Sequence, residues 1–390
     1  MTTSRRRFLT GLSSLAVAVP VLAACGVDGS TSDTAGSDAG ESGAAEEFSP
    51  VEIEHKYGTT TIEQQPTKVA VVGLMEQDAL LALGIAPVAT TFWFGEADGR
   101  IFPWAQEAFD ATGAELPTVL ENPDGIPVEE VAGLTPDLII GLYSGMTKQE
   151  YEQLSRIAPV VAQSAEFGDY GMPWDEMTRT IARAVGKEDE GEQLVADVTE
   201  QIEAAAADNA DVFEGKSVAV VTPYEGLFIY GPEDPRARML EQLGMTFPEV
   251  LLEERPEGEF GWSVSAERTT DLGELDGVVW LDLGNADAGM TRLWESTTPA
   301  QENAFVDISD ADGAYYVGHS MVTPLSIPYV LERYVPQLQA VGALHHLVEQ
   351  LLRRHADVGG HGEPGGDAAL EACDAHHEEL VEVAGEDRQE

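Results

Sequence analysis

The sequence predicts an α/β protein of two lobes joined by one long α-helix, with a ligand cleft between the lobes. Three observations predict it. Short apolar runs alternate with helical patterns from residue 69 onward, the signature of strand–helix–strand units. A second set of the same kind begins at residue 216. Between the two sets lies a single acidic, amphipathic stretch.

Residues 69–73 (Val-Ala-Val-Val-Gly) read as a buried strand, and 77–83 as a short helix stopped by Gly84. Residues 87–90, 137–142 and 159–162 read as further strands, with helices expected over 128–134 and 148–157. In the stretch 189–211, Leu194, Val198 and Ile202 fall four apart while acidic residues occupy the other faces. At about 1.5 Å per residue such a helix spans roughly 30 Å, the width of a small domain, so it can act as a stiff spine. The second set continues with strands at 217–221, 227–230 and 277–281, and a helix at 237–243. Tyr315, Tyr316 and Val317 and a helix from 327 to about 338 close the body. Each lobe then turns its strand ends, where α/β sheets place ligands, towards one gap. The resulting boundaries are 51–187 for the first lobe, 188–214 for the connecting helix and 215–338 for the second lobe, with 339–390 as an atypical tail.

Composition narrows the partners. Of 390 residues, 70 are acidic and 21 basic, a formal net charge of -49, so the surface repels nucleic acid and anionic lipid headgroups. Lysine occurs only five times, which suits a protein adapted to high salt as well as one that is simply very soluble. The two cysteines, Cys25 and Cys373, offer no disulfide framework.

The N-terminus reads as an address followed by an anchor. Arg5, Arg6 and Arg7 precede Phe8 and Leu9, the pattern of the twin-arginine export route. An apolar run over 12–24, too short for a stable span, ends in Leu22-Ala23-Ala24-Cys25, which resembles a bacterial lipobox. Residues 1–24 are thus expected to be a lipoprotein signal peptide, and Cys25 to carry the lipid. Residues 25–50 hold mostly Gly, Ser, Thr, Ala and acidic residues and cannot bury enough surface to fold. As a flexible tether they reach about 25–30 Å.

Several stretches of the body resemble the helical-spine (class III) periplasmic binding proteins of siderophore, haem and vitamin B12 importers, in particular the actinobacterial ferric-siderophore branch. They are His55 to Ile62 followed by Pro66 and Val69, Asp78 to Val88, Glu129 to Ile140, and Ser265 to Arg268. The likeness covers residues 51–338. It implies an extracellular lipoprotein that captures a ferric siderophore and delivers it to an ABC importer permease, with no catalysis and no cofactor of its own. It further implies that one acidic residue on each lobe, here Glu129 and Glu267, docks into basic pockets of the permease. Attachment to the membrane is expected through the lipid on Cys25 only, on the extracellular face, with the protein a monomer.

A ferric siderophore is a large, oxygen-rich chelate whose iron is already coordinated, so the protein need supply no metal ligand. It needs flat aromatic surfaces and a few fixed donors, and arginine addresses carboxylate or catecholate oxygens through paired hydrogen bonds. The candidates are Trp93 in the Phe-Trp-Phe loop after the second strand, Tyr143 after the third, Tyr224 after the first strand of the second lobe, Trp262, and Arg236 and Arg238 at a helix start. Arg100 and Trp104 are secondary candidates. An anionic chelate would suit an arginine-bearing gap, and a cationic hydroxamate chelate the acidic exterior; the sequence does not choose between them.

Other classes find less support. Gly318-His319-Ser320-Met321-Val322 and Gly261-Trp262-Ser263-Val264-Ser265 begin like a hydrolase nucleophile elbow but lack its last glycine. Gly360 to Gly365 spells GxGxxG with no strand before it and a proline inside. A bare-metal receptor needs imidazoles in the cleft, and only His55 and His319 lie in the body. A haem or cobalamin receptor of the same fold is the stronger alternative, with Tyr143 or Tyr224 as an axial ligand to haem. The tail carries six of the eight histidines, plus Cys373; it reads as an extension foreign to the family, with a helix possible over 341–356.

Overall fold

A computed structural model describes residues 48–358, apart from 254, 257, 258, 266, 283, 285 and 309–312. The expected signal peptide over 1–24, Cys25 and most of the tail lie outside the described residues.

A hairpin of β1 (Val51–His55) and β2 (Gly58–Ile62) opens the body, with Val51 opposite Ile62. The first sheet comprises β3 (Val69–Val71), β4 (Ala89–Thr91), β5 (Thr118–Leu120), β6 (Leu138–Gly141) and β7 (Val160–Ala162). Its order is β5-β4-β3-β6-β7 and every neighbouring pair is parallel. The chain therefore steps one way from β3 to β4 and β5, then returns to β6 on the other side. That reversal at β3 makes a crevice at the strand C-terminal ends, between the loops after β3, β4 and β6.

The second sheet comprises β8 (Val218–Pro223), β9 (Leu227–Tyr230), β10 (Gly261–Val264), β11 (Gly277–Leu281) and β12 (Phe305–Ile308), in the order β10-β9-β8-β11-β12. Strands β8, β11 and β12 run parallel, whereas β9 is antiparallel to both β8 and β10. The sequence predicts strands at 217–221 and 227–230 with no helix between them and does not give their relative direction. Only three residues separate β8 from β9, too few for a crossover, so the connection is a hairpin. Glu225 (φ 50°) and Gly226 (φ 118°) supply the left-handed backbone that the turn needs.

Helix Glu188–Asp208 joins the sheets and buries Gly191, Val195, Val198 and Ile202. Leu194, expected on that face, is only half-buried. Helix Trp174–Ala184 packs alongside; a Cβ at Gly191 would stand 2.2 Å from that of Ala182, so glycine sets the close approach. One apolar cluster runs from Val69, Val71 and Ile140 through Val198 and Ile202 to Val218, Val220 and Val279. The two lobes thus share a core behind the gap. Tyr315, Tyr316 and Val317 belong to helix Ala314–Met321, and helix Ser326–Val358 runs on through Pro336, so the tail begins helically. No helix of the described residues is long and apolar enough to cross a membrane.

Candidate ligand site

The first wall of the gap is built by loops that buried polar groups hold in place. After β4 come Phe92, Trp93 and Phe94; the rings of Trp93 and Phe94 lie 4.7 Å apart, and Phe94 meets Tyr316 edge-on at 6.0 Å. The buried Arg100 staples this loop. Its Nη1 donates to the Gly95 carbonyl at 2.7 Å and its Nη2 to that of Phe94, while the guanidinium lies over Phe92 and Phe102. Trp104 stacks on Phe102, and its Nε1 donates to Asp78 Oδ2 at 2.7 Å. Both secondary candidates are therefore internal struts: their donors are already committed to the loop and to Asp78.

Tyr143 follows β6 and is enclosed, edge-on to Tyr170 at 5.2 Å. Its backbone N–H donates to Glu76 Oε1 at 2.8 Å, and that of Met75 donates to Oε2 at 3.0 Å. One buried carboxylate thus pins the loops after β3 and β6 together. Burial pushes the Glu76 pKa up, against the opposing pull of these N–H donors.

The second wall comes from the β8–β9–β10 hairpins. Successive side chains of a strand point to opposite faces, so Phe228 and Tyr230 face the gap while Leu227 and Ile229 enter the core. Phe228 contacts Tyr224, Tyr230 and Phe260 edge-on or tilted at 5.4 to 5.9 Å. Phe260 reaches Tyr170 across the gap at 6.4 Å. Rings therefore run continuously from Tyr143 in the first lobe to Tyr224 in the second, with Tyr224 61% and Phe260 39% exposed. Gly261 lies opposite Tyr230, and a Cβ there would come within 2.5 Å of the Phe228 ring, so this packing requires glycine.

Trp262 departs from its expected place. It sits in strand β10 rather than in a loop, and pairs with the inward-facing Ile229. Strand alternation sends its indole into the core with Leu251, Trp280 and Trp294, away from the rings of the gap.

Arg236 bridges the lobes by its face. It starts helix Pro235–Gln242, whose N-cap Asp234 accepts the Arg236 backbone N–H at 2.9 Å. The Arg236 Nη1 donates to both Asp234 oxygens, at 3.0 and 2.9 Å, and the guanidinium lies 4.0 Å from the Tyr230 centroid and 5.8 Å from that of Trp93. Burial alone would lower the Arg236 pKa, but Asp234 outweighs it and keeps the guanidinium charged. Arg238 donates to the Gly171 carbonyl of the first lobe at 2.5 Å. Behind this floor His319 is fully buried, packed against Tyr334, with both ring nitrogens unpartnered; burial and the Arg236 charge lower its pKa to about 3.

The structure thus brings Trp93, Tyr143, Tyr224, Arg236 and Arg238 to one gap. The sequence reading missed Tyr170, Phe228, Tyr230, Phe260 and Tyr316; the alternation within Leu-Phe-Ile-Tyr carried the signal for two of them. Glu129 and Glu267 are exposed, one on each lobe, at a helix start and in a turn. Among the described residues no group of three or more His, Cys, Asp or Glu could hold a metal ion.

Two α/β sheets on a helical spine, with loops of both meeting at one gap, define a solute-binding protein of the class III architecture. The chain belongs to the periplasmic binding protein family, whose model matches residues 78–272. The Probable siderophore-binding lipoprotein YfiY of Bacillus subtilis is 31% identical over 224 residues, covering 56% of this chain and 64% of that protein. The Fe(3+)-citrate-binding protein YfmC of the same organism is 32% identical over 157 residues, covering 40% and 46%. The chain spans less than two thirds of these curated relatives. Among solved structures, Streptococcus pneumoniae PiaA in complex with ferrichrome matches with TM-score 0.66 and 27% identity, over 75% of this chain and 99% of that one. A periplasmic solute binding protein from Mycobacterium smegmatis matches with TM-score 0.63 and 29% identity over the same shares.

Proposed function

We propose that this chain is an exported, lipid-anchored binding protein that captures a ferric siderophore at the extracellular face of the membrane and delivers it to an ABC importer permease. One observation carries the reading: a continuous series of rings, from the buried Tyr143 to the exposed Tyr224, spans both lobes at the strand-end crevice. Such a surface grips a bulky chelate whose iron is already satisfied. The names of the relatives support the ligand class and the lipoprotein character. The ligand contacts are Trp93, Tyr143, Tyr224, Arg236 and Arg238, joined by Phe228, Tyr230 and Phe260. Trp262 acts from behind, by holding β10 in place. Glu129 and Glu267 are the permease contacts, twin-arginine export delivers the folded chain, and the lipid on Cys25 retains it there as a monomer.

Quenching of tryptophan fluorescence by ferric hydroxamates, catecholates and citrate, with haem and cobalamin as controls, tests this. Saturable quenching by at least one iron chelate at submicromolar concentration is expected. Binding of haem or cobalamin alone, or turnover of any chelate, would refute it.

A further inference from the structure

We infer that the gap accepts ferric chelates of zero or positive overall charge, the hydroxamate kind, and discriminates against anionic catecholate and citrate chelates. This deepens the siderophore reading above and rests on it. The sequence leaves open whether the guanidinium groups await an anion; the structure gives each of them a carboxylate or carbonyl partner. Arg236 spends its charge on Asp234, with the two side chains 3% and 1% exposed. Arg238 holds the Gly171 carbonyl and lies in the field of Asp234 and Glu241. Arg100 is tied to two carbonyls between Glu96 and Glu121. Lys56, beside Tyr170, pairs with Asp169 at 2.6 Å, and Arg255 pairs with Glu233 at 2.6 Å. Among the described residues, every cation near the ring series therefore has a carboxylate in its field. Asp282 adds negative potential at Tyr316.

Chelate chemistry then decides. Three hydroxamates give up one proton each and cancel the ferric ion, and an added amine leaves a cation. Three catecholates give up two protons each and leave a trianion. To enter the gap, a trianion must shed water without meeting an uncompensated positive charge, and it must first cross the field of a chain with net charge -49. A neutral or cationic chelate meets neither barrier, and the negative faces of the rings attract a cation.

The test uses the full chain and four probes: ferrichrome, ferrioxamine B, ferric enterobactin and Fe(3+)-citrate, each titrated by tryptophan quenching at low and high NaCl. At low salt, ferrichrome or ferrioxamine B is expected to bind at least about tenfold more tightly than either anionic chelate. Added salt should leave ferrichrome unchanged, weaken ferrioxamine B and narrow the deficit of the anions. Asp234→Asn, which strips the counter-charge from Arg236, should shift the preference about tenfold towards Fe(3+)-citrate. If that variant fails to fold, the salt series on the unaltered chain decides alone. Tightest binding of an anionic chelate, weakened by salt, overturns the inference and leaves the siderophore reading intact. Failure of all four probes, with haem or cobalamin bound, overturns the siderophore reading itself.

Discussion

The two lobes bury carboxylates at the gap in opposite ways. In the first lobe, Glu76 and Asp78 are fully buried with no cation beside them: Glu76 is held by backbone N–H groups, and Asp78 by Trp104 Nε1 and the Thr323 hydroxyl at 2.5 Å. In the second lobe, Asp234 is as deeply buried but carries Arg236 on both oxygens. The first arrangement fixes loops through directional hydrogen bonds and leaves the acid open to protonation. The second fixes a charge by cancelling it. Neither leaves a free positive charge for a ligand, and together they make the gap a surface of rings on a rigid frame.

The largest expected effect lies in the second lobe. Arg236→Ala strands a buried carboxylate and should cost about 3–5 kcal/mol of folding stability. Arg255→Ala, at a partly exposed pair with Glu233, should cost at most about 1 kcal/mol. Denaturant titration of both variants checks the contrast, and equal losses would break it.

The first lobe should instead respond to pH. Burial raises the Asp78 pKa from 3.8 to about 6, against the opposing hydrogen bonds from Thr323 and Trp104. The folded chain therefore keeps that proton to higher pH than the unfolded chain does. Stability falls as pH climbs from about 4 to about 6 and is level above, with a ceiling of about 3 kcal/mol for this group. Asp78→Asn should gain on the unaltered chain across that window and hold the gain at neutral pH. A difference that does not change with pH would show that Asp78 titrates normally.

Glu76→Gln replaces an acceptor oxygen by an amide nitrogen facing an N–H, and should cost about 1–3 kcal/mol. Weaker chelate binding should follow, because Tyr143 loses its anchor. The smallest effect on stability belongs to Tyr224, which is exposed at the β8–β9 hairpin. Tyr224→Ala should change stability by no more than about 0.5 kcal/mol, yet weaken chelate affinity several-fold. Calorimetry with and without ligand separates the two readouts.

Much of the frame was legible because parallel strands buried on both faces read as continuous apolar runs, as in residues 69–72 and 138–140. The spine was legible through its four-residue spacing. Strands β5 and β12 were not, since Thr-Val-Leu and Phe-Val-Asp-Ile are short and partly polar. Helix Trp174–Ala184 was hidden by four charged residues within eleven. The site was legible only as residue types after strands. That Asp234 neutralises Arg236 is a matter of side-chain geometry two residues apart, and that Trp262 faces inward follows from a strand register no single segment reveals. Tyr170 lay between glycines with no periodic signal at all.

The most direct test is a crystal structure of the chain grown with ferrichrome, with the metal located by anomalous scattering from iron. One iron peak is expected in the gap, flanked by Trp93 on one wall and by Phe228 and Tyr224 on the other, with no protein atom in its coordination sphere. An iron bound directly by a side chain, or a chelate seated anywhere other than between the two walls, would contradict that expectation.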